Sequence, residues 1–347
     1  MSPYDPSAVG KKGSIFGYPY HEEEADLILI PIPWDVTTSY GMGTSNAPEL
    51  ILNESTQLDF SLPEIKQPSR YAVAMTPLNE EMKKTCSGLR AKAEVLISKL
   101  EETGELDDEE QVVQAEINQG CAEMVELVNM QAADYLSVGK IVGLVGGDHS
   151  TPLGLIQALG DVHEDFGILQ IDAHMDLREA YEGFTYSHAS IMKNALKVPS
   201  MSKLIQVGIR DYCAEEEALV KRLNGKVKVH FDELHQKEKW EGANWPEQVR
   251  KIISDLPKNV YISFDMDGLV PSLCPNTGTP VPGGLSFYEA VFLMESVVRS
   301  NRKIIGFDVS ETGNAAWDAN VASRILFRLC TSVGVSRGRL TGFNLPS

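Results

Sequence analysis

Three short segments of the chain concentrate aspartate and histidine. They are LVGGDHS, with Asp148 and His149; LQIDAHMDL, with Asp172, His174 and Asp176; and ISFDMDGLVP, with Asp265 and Asp267. Each follows or ends an apolar run of strand character, and in an extended chain alternate residues face the same side. D-x-H-x-D therefore presents three ligands to one face, and D-x-D presents two. Asp172, Asp176, Asp265 and Asp267 cannot share a dry site as bare anions, because mutual repulsion would raise their pKa values. Two divalent cations would neutralise them. Carboxylate and imidazole donors without thiolate favour Mn2+, Fe2+, Ni2+ or Zn2+ over Ca2+. Two such ions sharing carboxylates generate a hydroxide nucleophile at neutral pH, so the expected chemistry is metal-assisted hydrolysis.

The elements that must bring these segments together are apolar runs at 26–33, 140–147, 166–172, 203–209, 226–231, 259–265 and 303–309. Most lack polar alternation, as strands covered on both faces do. Helical patterns fall between them, after Ser150 and near 215–222, 245–256, 287–298 and 319–330. Strands alternating with helices predict an α/β fold with a parallel sheet and helices on both faces. Ligand sites in such sheets lie outside the carboxyl ends of the strands, where the three segments can converge. The stretch 79–139 is different. It has no strand signal and reads as two helices broken at Thr103–Gly104, with Asp107 and Asp108 as N-cap candidates for the second. Much of the acidic excess sits there, which reads as a solvated helical face, with an interface between subunits as the rival reading. Residues 1–25 read as an N-terminal arm and 26–347 as a single domain.

The 347 residues carry 31 Lys+Arg against 49 Asp+Glu, a formal charge of −18. With 43% hydrophobic residues, a wholly disordered chain is excluded. The acidic balance argues against nucleic acid and against an anionic membrane surface as partners, and suits a small cationic substrate. Five cysteines, Cys86, Cys121, Cys213, Cys274 and Cys330, form no CxxC pair. Reduced thiols, the absence of an apolar signal region and the absence of a long apolar run point to a cytoplasmic protein without a membrane span.

The segments GGDHS, DAHMD and SFDMDGLVPS, in that order, resemble the signatures of the ureohydrolases, the arginase and agmatinase family. The similarity continues through PNTGTPVPGGLSFYEA (275–290) and the early segment PWDVTTSYGMGTSNAPELI (33–51), and spans roughly residues 26–333. It implies a three-layer α/β/α fold with a central, roughly eight-stranded parallel sheet and a binuclear centre of Mn2+ or Ni2+. One ion would be held by His149, Asp172, Asp176 and Asp265, the other by His174, Asp172, Asp265 and Asp267. Asp148 would orient a ligand or its backbone. The resemblance also places His188, in FTYSHAS, as the group that passes a proton to the leaving amine. Glu311, in FDVSET, would be the carboxylate that pairs with a guanidinium, with Asp267 assisting it. It further implies a homo-oligomer, a trimer or hexamer. Two departures stand out. Val270 replaces a usual Asp, and the helical stretch 79–139 is longer than is typical.

The loop DLREAYEGFTYSHAS lacks the polar reader that arginases use for the amino-acid end of arginine, so arginine is disfavoured. Free guanidine is the first expectation, with agmatine or a guanidinobutyrate-type compound as the alternative. Guanidine is placed first because Trp317, six residues past Glu311, offers an indole face to cap a planar cation. The segments GTSNAP (43–48) and ETGNAAWDANV (311–321) also look like those of family members that hydrolyse free guanidine. Thr38 and Tyr40 in the early loop offer polar contacts. A scaffold without metal and a one-zinc deacetylase are the rival classes. The intact ligand set speaks against the first, and the absence of a His-His pair against the second.

Overall fold

The computed structural model describes residues 10–343. Its strands are β1 (Leu27–Pro31), β2 (Val73–Met75), β3 (Ile141–Val145), β4 (Phe166–Ile171), β5 (Met201–Ile209), β6 (Val227–Phe231), β7 (Asn259–Asp265) and β8 (Lys303–Ser310). They form one eight-stranded sheet in the order β2-β1-β3-β8-β7-β4-β5-β6. Every pairing is parallel. Apart from the edge strand β6 and the start of β5, the strands are almost wholly buried because alternate side chains feed two cores. Leu27 and Leu29 of β1 enter one core, and Ile28 and Ile30 enter the other.

The helices are α1 (Ala47–Glu54), α2 (Glu80–Thr103), α3 (Asp108–Ser137), α4 (Leu153–Val162), α5 (Ile191–Ala195), α6 (Ala214–Arg222), α7 (Asp232–Trp240), α8 (Trp245–Ser254), α9 (Phe287–Arg299) and α10 (Ala316–Ser336). Apolar stripes of α1, α8, α9 and α10 build the first core, and those of α2 to α5 build the second. The result is the expected three-layer α/β/α arrangement. Seven strands fall on the apolar runs. The eighth, β2, is a three-residue edge strand too short to show a run.

The break in the helical stretch is where the sequence places it. Gly104 ends α2 at φ 77°, the left-handed conformation that a helix C-terminus favours. Asp107 then caps α3 in a reciprocal pair with Glu110. Residues 1–9 of the proposed N-terminal arm lie outside the described residues. Part of the rest is packed: Ile15, Phe16 and Tyr18 are buried, and the Phe16 ring meets Phe327 of α10 edge-on at 5.3 Å. Among the described residues, no helix is long and apolar enough to cross a membrane. All five cysteines are free thiols.

Candidate active site

His149 follows β3, Asp172 follows β4, Asp265 ends β7 and Glu311 follows β8. These strands are neighbours in the order β3-β8-β7-β4, so one sheet edge collects the residues from four distant parts of the chain. The chain steps from β3 to β4 across two intervening strands here, the kind of switch point that opens a crevice at the carboxyl ends.

Short turns aim the donors. The Asp265 Oδ1 accepts the Asp267 N–H at 2.8 Å, which caps a single 3-10 turn and leaves Oδ2 facing His149. The Asp172 Oδ1 accepts the His174 N–H at 2.6 Å, and the Asp267 Oδ1 accepts the Ala173 N–H at 3.0 Å. Asp176 and Glu311 have φ of 55° and 58°. A side chain at positive φ costs on the order of 1–3 kcal/mol, a strain typical of functional sites.

The donors gather in two groups that share a carboxylate. Atoms of His149, Asp172 and Asp265 lie within 4.8 Å of one another, as do atoms of Asp172, His174 and Asp267. The His149 Nδ1 is 2.9 Å from Asp172 Oδ2, 2.9 Å from Asp176 Oδ2 and 3.2 Å from Asp265 Oδ2. It has no hydrogen bond of good geometry to any of them. A proton on Nδ1 serves one oxygen, whereas a cation among the four atoms serves all of them. The residues present therefore fit a divalent ion. His174 repeats the pattern, with Nδ1 3.0 Å from Asp267 Oδ2 and 3.6 Å from Asp172 Oδ1.

The electrostatics agree. Burial and the neighbouring Asp267 and Asp172 push Asp265 well above the usual carboxylate range. Burial and Asp172 raise Asp176 to about 8. Burial opposes protonation of His174, but Asp267 and Asp172 outweigh it and bring it up to about 12. Excess negative charge in a buried place draws in either protons or metal.

Behind these donors runs a row of polar side chains that the motifs do not reveal. Gln206, Gln170, Ser263 and Asp308 are in register across β5, β4, β7 and β8. Each is fully buried. The Ser263 Oγ is 2.8 Å from His149 Nε2, which leaves Nδ1 to face the carboxylates. Gln206 donates to Gln170 at 2.6 Å, and Gln170 donates to Asp172 Oδ2 at 2.7 Å. Asp308 accepts from Tyr261 at 2.8 Å and from Ser310 at 2.9 Å. Gln170 and Ser263 stand two residues before a ligand, so they share its face one level deeper. A polar residue at that spacing inside an apolar run is the signal that would have found them. Asp148 acts on the turn that carries His149 rather than on a ligand side chain. Its carboxylate accepts from the N–H and hydroxyl of Ser150, which shapes the turn, and burial raises it to about 7.

A cavity of about 420 Å³ opens at the donors, lined by His174, Asp176, His188, Tyr40, Asp211 and Thr279 among others, with Asp211 Oδ2 4.0 Å from His174 Nε2 and Thr279 Oγ1 3.4 Å from Asp267 Oδ2. Burial, then His174 and His149, hold His188 down to about 3, a neutral imidazole. Its Nδ1 is 3.3 Å from Ser187 Oγ. Glu311 is buried under the adjoining loop. Its Oε1 accepts the His149 N–H at 3.0 Å, and its Oε2 has no partner. Burial and Asp148 push it well above the usual range. Gly278 makes the space above it, since a Cβ there would stand 2.9 Å from Oε2.

The remaining expected contacts are distributed differently. Tyr40 lines the cavity and is 82% exposed. Thr38 is buried and committed to the protein, with its hydroxyl donating to the Asp35 carbonyl at 3.1 Å and accepting from Arg90 at 2.9 Å. Trp317 does not line the cavity. It is 54% exposed in the first turn of α10, and its N–H donates to the Ser272 carbonyl at 3.0 Å. Val270 spends its backbone N–H on Leu285 at 2.9 Å.

Comparison with known proteins places this geometry. The profile of the arginase family matches residues 25–333. The N(1)-aminopropylagmatine ureohydrolase of Thermus thermophilus is 32% identical over 92% of this chain and 94% of its own. The agmatinase of Pyrococcus horikoshii is 26% identical over 88% and 91%. Among solved structures, the agmatine ureohydrolase of Thermoplasma volcanium shares the fold with a TM-score of 0.69, at 23% identity over 92% of this chain and 94% of that one.

Proposed function

The chain belongs to the arginase family of metal-dependent amidine hydrolases, and from that premise we propose that it cleaves a guanidinoalkyl amine of the agmatine type to urea and an amine. The observation that carries this reading is the pair of donor groups sharing Asp172 at the base of a cavity. His149, Asp172, Asp176 and Asp265 would hold one divalent cation; His174, Asp172, Asp265 and Asp267 would hold the other, with Mn2+ or Ni2+ suiting the donors. Bound there, the ions supply a water activated as nucleophile at neutral pH.

The protein's own residues do the rest. Glu311, with an unpartnered oxygen under Gly278, pairs with the guanidinium, a planar cation suited to a carboxylate fork. Asp267 assists by orienting and stabilising the cationic group through its charge. His188, a neutral imidazole in the cavity wall, takes up a proton and gives it to the nitrogen that leaves. The cavity supports a substrate with a tail. At about 420 Å³ it has room for more than a guanidinium, and the exposed Asp211 carboxylate in its lining, 4.0 Å from His174 Nε2, offers an ammonium a partner.

The absence of Trp317 from the cavity removes the reason for placing free guanidine first. One observation still favours it as a second reading. The two loops that carry that likeness touch beside Glu311, where a Cβ on Gly43 would lie 3.0 Å from the Asn314 side chain. Urea release from agmatine, its aminopropyl derivative, 4-guanidinobutyrate, arginine and guanidine, with Mn2+ or Ni2+ loaded, decides between them. Agmatine-type substrates should exceed guanidine in kcat/KM by at least about tenfold. The reverse ranking selects guanidine, and no urea from any of them refutes the class.

A further inference from the structure

The acidic helical hairpin α2–α3 covers the sheet with one face. Met82, Cys86, Leu89, Ala93, Leu96 and Ile97 of α2 are buried, and most of its acids face solvent. From the edge of the covered face, three side chains reach the loops that wall the cavity. Arg90 Nη1 donates to the Val36 carbonyl at 3.3 Å, to the Thr38 carbonyl and to the Thr38 hydroxyl at 2.9 Å, while its Nε bonds Glu94 at 3.0 Å. Ser39 and Tyr40, next in the chain, line the cavity.

Gln114 and Asn118 of α3, one turn apart on the same side, reach the loop before His188. Gln114 Nε2 donates to the Glu182 carbonyl at 3.0 Å, and Asn118 Nδ2 donates to the Gly183 carbonyl at 3.0 Å. Asn118 Oδ1 accepts the Thr185 N–H at 2.9 Å and the Thr185 hydroxyl at 3.1 Å. That loop needs such support. Glu182 and Gly183 have φ of 52° and 81° inside a tight turn closed by Tyr181 and Phe184. A non-glycine residue in this region is strained. Two peptide carbonyls at such a turn need donors, and the two α3 amides supply them. The fit is close enough that a Cβ on Gly183 would lie 2.1 Å from Gln114 Nε2. Tyr181, at the start of the turn, meets the His188 ring edge-on at 6.0 Å.

We propose that the α2–α3 hairpin braces the active site with two arms: Arg90 fixes the outer wall through loop 36–40, and Asn118 with Gln114 fixes the His188 side through turn 181–185. These are positioning residues, since none touches the donor groups. The inference rests on the reading of His188 as the proton-transfer group.

The two arms hold different parts of the cavity, so their loss should separate in the kinetics. In the metal-loaded full chain with agmatine, Asn118→Ala should lower kcat by roughly ten- to a hundredfold with KM within about twofold. Arg90→Met should raise KM by about tenfold with kcat nearly unchanged, and Arg90→Lys should recover part of it. Metal content and the unfolding midpoint are measured on each. If Asn118→Ala does not fold, Gln114→Met, which removes a single bond, should show the same direction with a smaller size. Proportional loss in both arms, or no change in either, overturns the brace. His188→Asn is assayed alongside. Full activity there breaks the functional reading, while an inactive His188→Asn beside an unimpaired Asn118→Ala breaks only the brace.

Discussion

The base and the wall of the cavity are held by opposite means. The base is built on the ends of four adjacent strands, and its donors are kept in place by a buried polar row within the sheet itself. The wall is built from loops, and these are tied from outside by long side chains of a peripheral hairpin. Geometry that must be held tightly, where charge is concentrated, is given to the rigid sheet. Geometry that adapts to one substrate is given to segments whose supports can change without disturbing the metal donors.

Four outcomes would break or sharpen that contrast. His174→Ala removes a base donor and should lower urea release by about a thousandfold or more, with loss of one equivalent of bound metal. Unchanged turnover would remove the ligand assignment. Mn2+ added to chelator-stripped protein at about a thousand times its Kd should stabilise the fold by about 4 kcal/mol, raising Tm by several degrees. An unmoved midpoint would show that the crowded carboxylates do not take the ion. Ser263→Ala frees the His149 ring and should weaken metal affinity by roughly ten- to a hundredfold, read by metal titration. No loss would mean the polar row does not orient the ligands. Trp317→Ala should change kcat/KM by less than about twofold for any substrate, as for a surface side chain. A selective loss with guanidine would return the indole to the site.

The legible parts of the molecule were those with strong local signals. The buried strands announced themselves as Ile/Val runs, and the α2–α3 boundary as Gly104 followed by an Asp107 cap. The edge strand β2 and helix α5 did not, because so few residues show no periodicity, nor did α1 and α7, of which α7 buries only Asp232 and His235 and so has no apolar stripe. The acids of 79–139 were legible as an outward-facing surface of the chain, but Arg90, Gln114 and Asn118 within that stretch were not. Nothing local distinguishes an arginine that braces a loop from one that meets water.

The proposed donors were legible in the sequence alone, because Asp and His clustered at the ends of apolar runs keep their chemistry wherever the chain goes, although short turns rather than strand alternation aim them, with a 3-10 turn after Asp265 and a positive φ at Asp176. So was the parallel α/β architecture, which follows from the order of strands and helices. Tertiary structure decided what lies far apart in the chain. It joined Ser263 to His149 and Gln206 to Asp172 through strand register, turned Trp317 outward on α10, and spent the Thr38 hydroxyl on Arg90. The physical reason is that a side chain's chemistry is a local property, whereas its partner depends on packing, and packing is settled only when distant segments meet.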